Sequence, residues 1–397
     1  MPRSAFELLP FELHLNLAHH VEDLESLYNL LRASPRFWRV FDNCSHAAQI
    51  ANQVLAREPI DIQIKIIIWT IGHVRHDCLP ATSLIELQRR VTNDSVTHQS
   101  CRIGSFTWSR DHADEEWFMC EADIFVPDCL PAACTPETVR RILSIHRHIT
   151  YMTLNCLDRL LDKFRKLDFA EHVVDIGAPT WIEEQALARS FWRIAFVYQV
   201  KQALSNNTLK WSEEDRDKLM TTANLDVYDF SRITTNLSDG CWFHSCPMDV
   251  QIAEHSNLLT ATEYLEDPSP MPSQWARSLP APSPSLNDYN EIQWRWSVGV
   301  EWLARVFPET FFLPFNSSSF EIFRRAGFML WSEDRLHNFG FTSLHKIDDH
   351  ASDEDRRIWL SVLEDERAAQ SFAQADSLCN CHFYSLKYPP ISERSEG

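Results

Sequence analysis

Only eight glycines occur among 397 residues, and that scarcity limits what the chain can fold into more than any other feature. Tight β-hairpins need glycine, asparagine or aspartate at positive φ. Loops that cradle phosphates need several glycines close together. A β-sandwich, a propeller and a nucleotide-binding loop are all disfavoured on this ground. Apolar residues at 44 % and charged residues at 23 % are globular values and supply a substantial core. A mainly α fold is expected, as one large domain or two to three ordinary ones. No leucine-rich, WD40 or kelch period is present.

The clearest local organisation lies in the first forty-odd residues, Ala5 to Cys44. Leu9-Pro10 opens a helical pattern, with proline where a missing N–H costs nothing. Leu13, Leu17 and His20/Val21 recur along one face of it. Asp23 is spaced to cap a second helix striped by Leu24, Leu27, Leu30 and Leu31. Ser34-Pro35 repeats the cap-and-proline start, and Phe37, Val40 and Phe41 follow on a third helix. Such closely spaced starts predict a compact three-helix unit.

Leu9-Pro10-x-Glu12-Leu13, then Leu17, Val21, Asp23-Leu24, Leu27, Leu30 and Phe37, resemble an F-box, the short adaptor module that docks on Skp1 in cullin–RING ubiquitin ligases. Where that pattern usually ends in a Cys-x-x-Trp-like segment, this chain has Ala33-Ser34-Pro35-Arg36-Phe37-Trp38, an ending similar to F-box-like proteins of filamentous fungi. The resemblance implies that Leu9, Pro10, Glu12, Leu13, Leu17, Leu24, Leu27 and Phe37 contact a Skp1-like adaptor and, through it, a cullin ligase. It implies an F-box-like domain at 1–44 and a larger, irregular helical domain at 45–390. Residues 391–397 are expected to be a disordered tail. Two later segments, Glu184 to Leu204 and Phe323 to Leu336, carry a weaker resemblance to the helical region of the same fungal proteins, which supplies fold context and no mechanism.

Further along, His46 to Arg57 has Ile50, Val54 and Leu55 at helical spacing before Pro59. Ile60 to Ile71 alternates like a strand, yet Ile60, Ile64, Ile67, Ile68, Ile71 and Val74 fit one helix face, and helix is the expectation. Residues 101–137 hold eight acidic residues against Arg102 and Arg110, with prolines at 127, 131 and 136, which predicts an irregular insertion. Thr135-Pro136-Glu137 then opens a long helix whose face is Val139, Ile142, His146, Ile149, Thr153, Cys156, Leu160 and Phe164. Thr180 and Glu183 are spaced as a capping box for a helix to about Leu204, with Leu187, Phe191, Ile194, Ala195 and Tyr198 on one side. Ser212 caps Glu213 to Ala223. Residues 267–288 shift to proline and serine, as in a linker or long loop. Helical patterns resume at Glu291 to Phe307, Ser318 to Phe339 and Asp353 to Ala373.

The formal charge of −19 opposes general binding of nucleic acid or of an anionic membrane. The most apolar run, Ile60 to Ile71, contains Asp61 and Lys65 and is too short to span a bilayer. Eleven cysteines without a secretory signal fit reduced thiols in the cytosol or nucleus. Cys241-x-x-His244-x-Cys246 and Cys379-x-Cys381-His382 have zinc-ligand chemistry but not zinc-finger spacing, and no metal or other cofactor is expected. No catalytic motif is present, so no enzyme is expected. Arg140, Arg141, Arg147 and Arg159 lie on the basic side of the long helix. Two accounts of them stand side by side: neutralisation by the acidic insertion, or recognition of an acidic protein substrate. The leading reading is an adaptor that binds Skp1 and recruits an unidentified substrate. The others are Skp1 binding without ubiquitination and a zinc- or thiol-dependent enzyme.

Overall fold

The computed structural model describes residues 9–42, 46–92, 125–166, 177–224, 227–228, 247–266 and 323–339. Among them the regular structure is helical and no strand occurs, so the chain is mainly α. The expected helices at 291–307 and 353–373, the proline-serine segment, the tail and both cysteine–histidine clusters lie outside the described residues. The chain forms two compact units. One comprises residues 1–158, 184–232 and 257–290; the other comprises 159–183, 233–256 and 291–397.

Four short helices begin the first unit: α1 (Phe11–His20), α2 (Leu24–Ala33), α3 (Pro35–Asp42) and α4 (Ala47–Arg57). Asp23 caps α2 by accepting from Ser26 N at 2.6 Å, and Ser34 caps α3 by accepting from Phe37 N at 3.1 Å. The ambiguous isoleucine run is helix α5 (Ile62–Arg75), started by Asp61, whose carboxylate accepts from Gln63 N at 2.7 Å. Its capping residue decides between the two periodicities, since a strand has no orphan N–H groups to satisfy at its start. Gly72 lets α5 approach the 130–134 turn closely: a Cβ there would lie 2.6 Å from Leu130. That turn is the described end of the predicted insertion, and it is irregular, as expected. A short helix, α6 (Leu84–Leu87), runs into a π-helical turn at Gln88–Thr92, where Thr92 Oγ1 donates to Val227 O at 3.0 Å.

The long helix α7 (Pro136–Arg165) buries every position of its expected face, from Val139 to Phe164. α8 (Trp181–Ser205) departs from a one-sided pattern. Leu187, Phe191 and Ile194 are buried, but so are Glu184, Arg189 and Arg193, while Tyr198 is 66 % exposed rather than part of the core. Apolar periodicity misses these buried polar positions because their partners are distant in sequence. In the first unit Arg189 donates to Gln63, and Gln185 accepts from Asp61 N at 2.9 Å. The Arg193 guanidinium sits 5.5 Å over the Tyr228 ring, and Tyr228 OH donates to Arg193 O at 3.1 Å. α9 (Glu213–Thr221) is capped by Ser212 as expected. α10 (Pro247–Glu266) has no strong apolar stripe: among its described side chains Ala253, Leu258 and Ala261 are the buried apolar ones, and the small alanines leave little periodic signal in the sequence.

In the second unit, Phe323 to Phe339 is not the continuous helix its pattern suggests. Gly327 adopts φ +85°, a conformation L side chains rarely take, and the chain turns there before α11 (Glu333–Asn338). A Cβ at Gly327 would also meet the Trp331 ring at 2.7 Å. Phe164 stacks against Phe328, Trp331 and Phe339 with ring centroids 4.6–5.6 Å apart. The predicted capping box is present, with Thr180 N donating to Glu183 Oε2 at 2.8 Å. The same carboxylate also accepts from Ser332 N at 2.9 Å and from Arg335 Nε at 2.9 Å and Nη2 at 3.0 Å. Arg335 donates further to Gly177 O and Ala178 O.

Two stability predictions follow from these buried charges. Arg335→Met leaves the Glu183 carboxylate buried without its cation. The loss should be about 3–5 kcal/mol in a urea titration, and an unchanged midpoint would contradict the ion pair's role. The second concerns His73 and His76 at the end of α5. Burial holds both imidazoles below their ordinary value, with Arg75 acting in the same direction on His76 and backbone hydrogen bonds at Cys129 and Cys78 acting against it on His73. The unfolded chain therefore binds more protons than the folded one as the pH drops past the ordinary histidine value. Stability from this source is full above about pH 6.5 and is lost as the pH falls toward the depressed folded values. The Tm of His76→Gln should fall less than that of the wild type between about pH 7.5 and 5.5.

Candidate partner-docking surface

The surface begins with how α1 is set into its neighbours. His14 and Ala18 are its buried side chains, and the helix packs on α3 and α4 through that side. The His14 ring lies 6.2 Å from the Phe37 ring, and its Nδ1 is 3.0 Å from Pro10 O. The apolar stripe that the F-box resemblance assigns to a partner lies away from that side. Leu13 is 46 % exposed and Leu17 41 %, with Pro10 and Phe11 exposed beside them. Pro10, Leu13 and Leu17 follow i, i+3, i+7 spacing, which places them along one side of the helix.

The core beneath is made by α2 and α3. Leu24, Leu27, Leu31, Phe37, Val40 and Phe41 are buried. The eight residues expected to contact a partner therefore divide. Pro10, Glu12, Leu13 and Leu17 are on the surface, Leu9 is half-buried, and Leu24, Leu27 and Phe37 are buried in the core. The repeat of a core stripe and that of a docking stripe are identical in sequence, so periodicity alone could not separate them. Sequence reasoning also passed over Phe11 and Trp38. Trp38 is 38 % exposed and lines a depression of about 410 Å³ with Leu31, Arg32, Pro35 and Arg39.

The arginines of α7 have specific intramolecular work. The Arg140 guanidinium lies 4.5 Å over the Trp38 ring and forms an ion pair with Asp42. Arg147 lies 5.1 Å over the Tyr28 ring and donates to Asn29 Oδ1 at 3.1 Å. Two stacked arginines two helical turns apart thus clasp α2 and α3 onto α7. Residues 101–124 of the acidic insertion lie outside the described residues, and the carboxylate found on Arg140 is that of Asp42. Arg141 is exposed and Arg159 half-buried. Among the described residues, no group of three or more histidine, cysteine or carboxylate side chains is placed to hold a metal ion. No described helix is long and apolar enough to cross a membrane.

The clasp is testable. Each stacked arginine contributes about 0.5–1 kcal/mol where partly exposed. Arg140→Ala with Arg147→Ala should lower the Tm and speed amide exchange in α2 and α3 before other helices. Unchanged exchange there would show that these contacts hold nothing. In comparisons with known proteins, no family model matches this chain, and no curated protein or solved structure does so at a significant level.

Proposed function

We propose that this protein is an adaptor that docks a Skp1-like partner through the outer side of α1 and brings a protein substrate to a cullin–RING ubiquitin ligase. The observation that carries the reading is the exposure of Pro10, Leu13 and Leu17 on a helix whose other side is seated on α3 and α4. Contiguous apolar side chains left in water are characteristic of interaction sites. The F-box-like spacing of these residues, with Leu24, Leu27 and Phe37 as their internal support, favours a Skp1-like partner. In this role the protein performs no bond chemistry. It raises the effective concentration of a target's lysines beside the conjugating enzyme. Such ligases act in the cytosol and nucleus, which is where the adaptor would work.

The decisive experiment is a pull-down with purified Skp1. Leu13→Asp with Leu17→Asp should abolish binding while the circular dichroism melt shifts far less than for a core substitution, because neither side chain belongs to the buried core. Leu27→Ala should instead lose about 2–5 kcal/mol of stability through the cavity it opens. Undiminished Skp1 binding by the double aspartate variant would overturn the adaptor reading. Skp1 binding without ubiquitin transfer to any co-purifying protein would retain the docking step and reject the ligase role.

A further inference from the structure

We propose a second binding site, separate from the α1 stripe, where α2 meets α7: it takes a phosphate monoester dianion between the Arg32 and Arg147 guanidiniums. Both cations converge on one aromatic ring. The guanidinium carbon of Arg32 lies 5.7 Å from the centre of the Tyr28 ring, and that of Arg147 lies 5.1 Å from it. Stacking holds each guanidinium by its face and leaves edge N–H groups for a ligand. Arg147 spends one donor on Asn29 Oδ1, at 3.1 Å. A guanidinium has no acceptor, so this bond turns the Asn29 amide oxygen toward Arg147 and leaves the amide NH2 as a further donor. Arg32, Asn29 and Arg147 are all exposed, and Tyr28 is half-buried, so a solute reaches the cluster from water.

The ligand class follows from a comparison of the two clasps. Arg140 stacks on Trp38 and is neutralised by Asp42. Arg147 stacks on Tyr28 in the same way, yet the group that joins it there is a second arginine and not an acid. Among the described residues no carboxylate pairs with Arg32 or Arg147, and Glu25, one turn before Tyr28 on α2, is no exception. One clasp is therefore balanced in charge and the other carries two cations, which repel each other until an anion joins them. A carboxylate brings one negative charge. A phosphate monoester brings about −1.5 to −2 at neutral pH and three terminal oxygens, enough for both guanidiniums and the Asn29 amide. Because the rings already hold the guanidiniums, little ordering is left for the ligand to impose. Nucleic acid fits less well: each diester phosphate has a single charge, and the formal charge of −19 repels a long polyanion.

Phosphorus NMR titration of the full-length protein in a phosphate-free buffer tests this. The probes are a capped phosphoserine, which stands for a phosphorylated protein segment, and glycerol phosphate, which stands for a free metabolite. At least one should give a saturable shift, and capped glutamate should displace it only at about tenfold higher concentration or more. Arg32→Gln, at an exposed position outside the clasp between α2 and α7, should weaken binding about tenfold, the equivalent of one charge-assisted hydrogen bond. Arg32→Lys, which keeps the charge and loses the fork, should fall between. Leu13→Asp with Leu17→Asp should leave phosphate affinity unchanged, so this site and the α1 reading stand or fall independently. Saturation by phosphoserine alone assigns the site to a phosphorylated partner, by glycerol phosphate alone to a metabolite, and by both to the phosphate group itself; each supports the proposal. No saturable shift with either probe, displacement by glutamate at equal concentration, or undiminished binding to Arg32→Gln would each overturn it.

Discussion

The N-terminal helices depend on a single buried carboxylate. Glu58 follows α4 and is almost wholly out of water. Its Oε2 accepts from Leu24 N, the first N–H of α2, at 3.2 Å, and its Oε1 lies 3.2 Å from His146 Nε2 on α7. A carboxylate tolerates burial only when donors surround it. Here the donor to Oε2 is a backbone N–H 34 residues away, and the imidazole beside Oε1 comes from a helix 88 residues away. The negative charge also stands at the positive end of the α2 dipole, where it is stabilising. Glu58 thereby positions α2 against α4 and α7, and the arginine clasp at Tyr28 and Trp38 continues the same register outward. The surface presented by α1 and α3 is held from inside by these contacts.

A comparable economy of charge appears at Glu183 in the second unit. Locally it closes a capping box with Thr180, satisfying one orphan N–H of α8. Distantly it receives Ser332 and Arg335, with Arg335 spreading its remaining donors over the carbonyls of residues 177 and 178. Gly327 and the aromatic cluster around Phe164 set the turn that brings Arg335 to it. A pair this deeply buried contributes less net stability than its geometry suggests, because both ions were desolvated to form it.

The division of α1 is the feature on which the proposed adaptor role rests. One side of the helix is seated on α3 and α4, and the other leaves Pro10, Leu13 and Leu17 exposed. The arginines of α7 show the converse case. Read as a basic face, they left open neutralisation by the acidic insertion or recognition of an acidic substrate; Arg140 and Arg147 reach Asp42, Trp38, Asn29 and Tyr28. Long, stacking guanidinium side chains serve as intramolecular clamps as readily as ligand contacts. Net charge along a helix does not say which.

Much of the architecture was legible in the residues themselves. Scarce glycine and helical periodicity predicted a mainly α chain. Asp23, Ser34, Ser212 and the Thr180–Glu183 pair marked helix starts, because capping is decided within four residues of sequence. The buried face of α7 could be read position by position for the same local reason. Tertiary structure alone decided the rest. Whether the Leu13–Leu17 stripe faces the core or the solvent depends on which side α3 and α4 already fill. Whether Glu183, Arg189 and Arg193 belong inside depends on partners far away along the chain. The α10 helix and the turn at Gly327 were hidden because weak stripes and a single left-handed residue leave little periodic signal. Local sequence determined which segments coil and where each begins; the side each helix turns inward, and hence the surface left exposed, was decided only when distant helices competed for the same core.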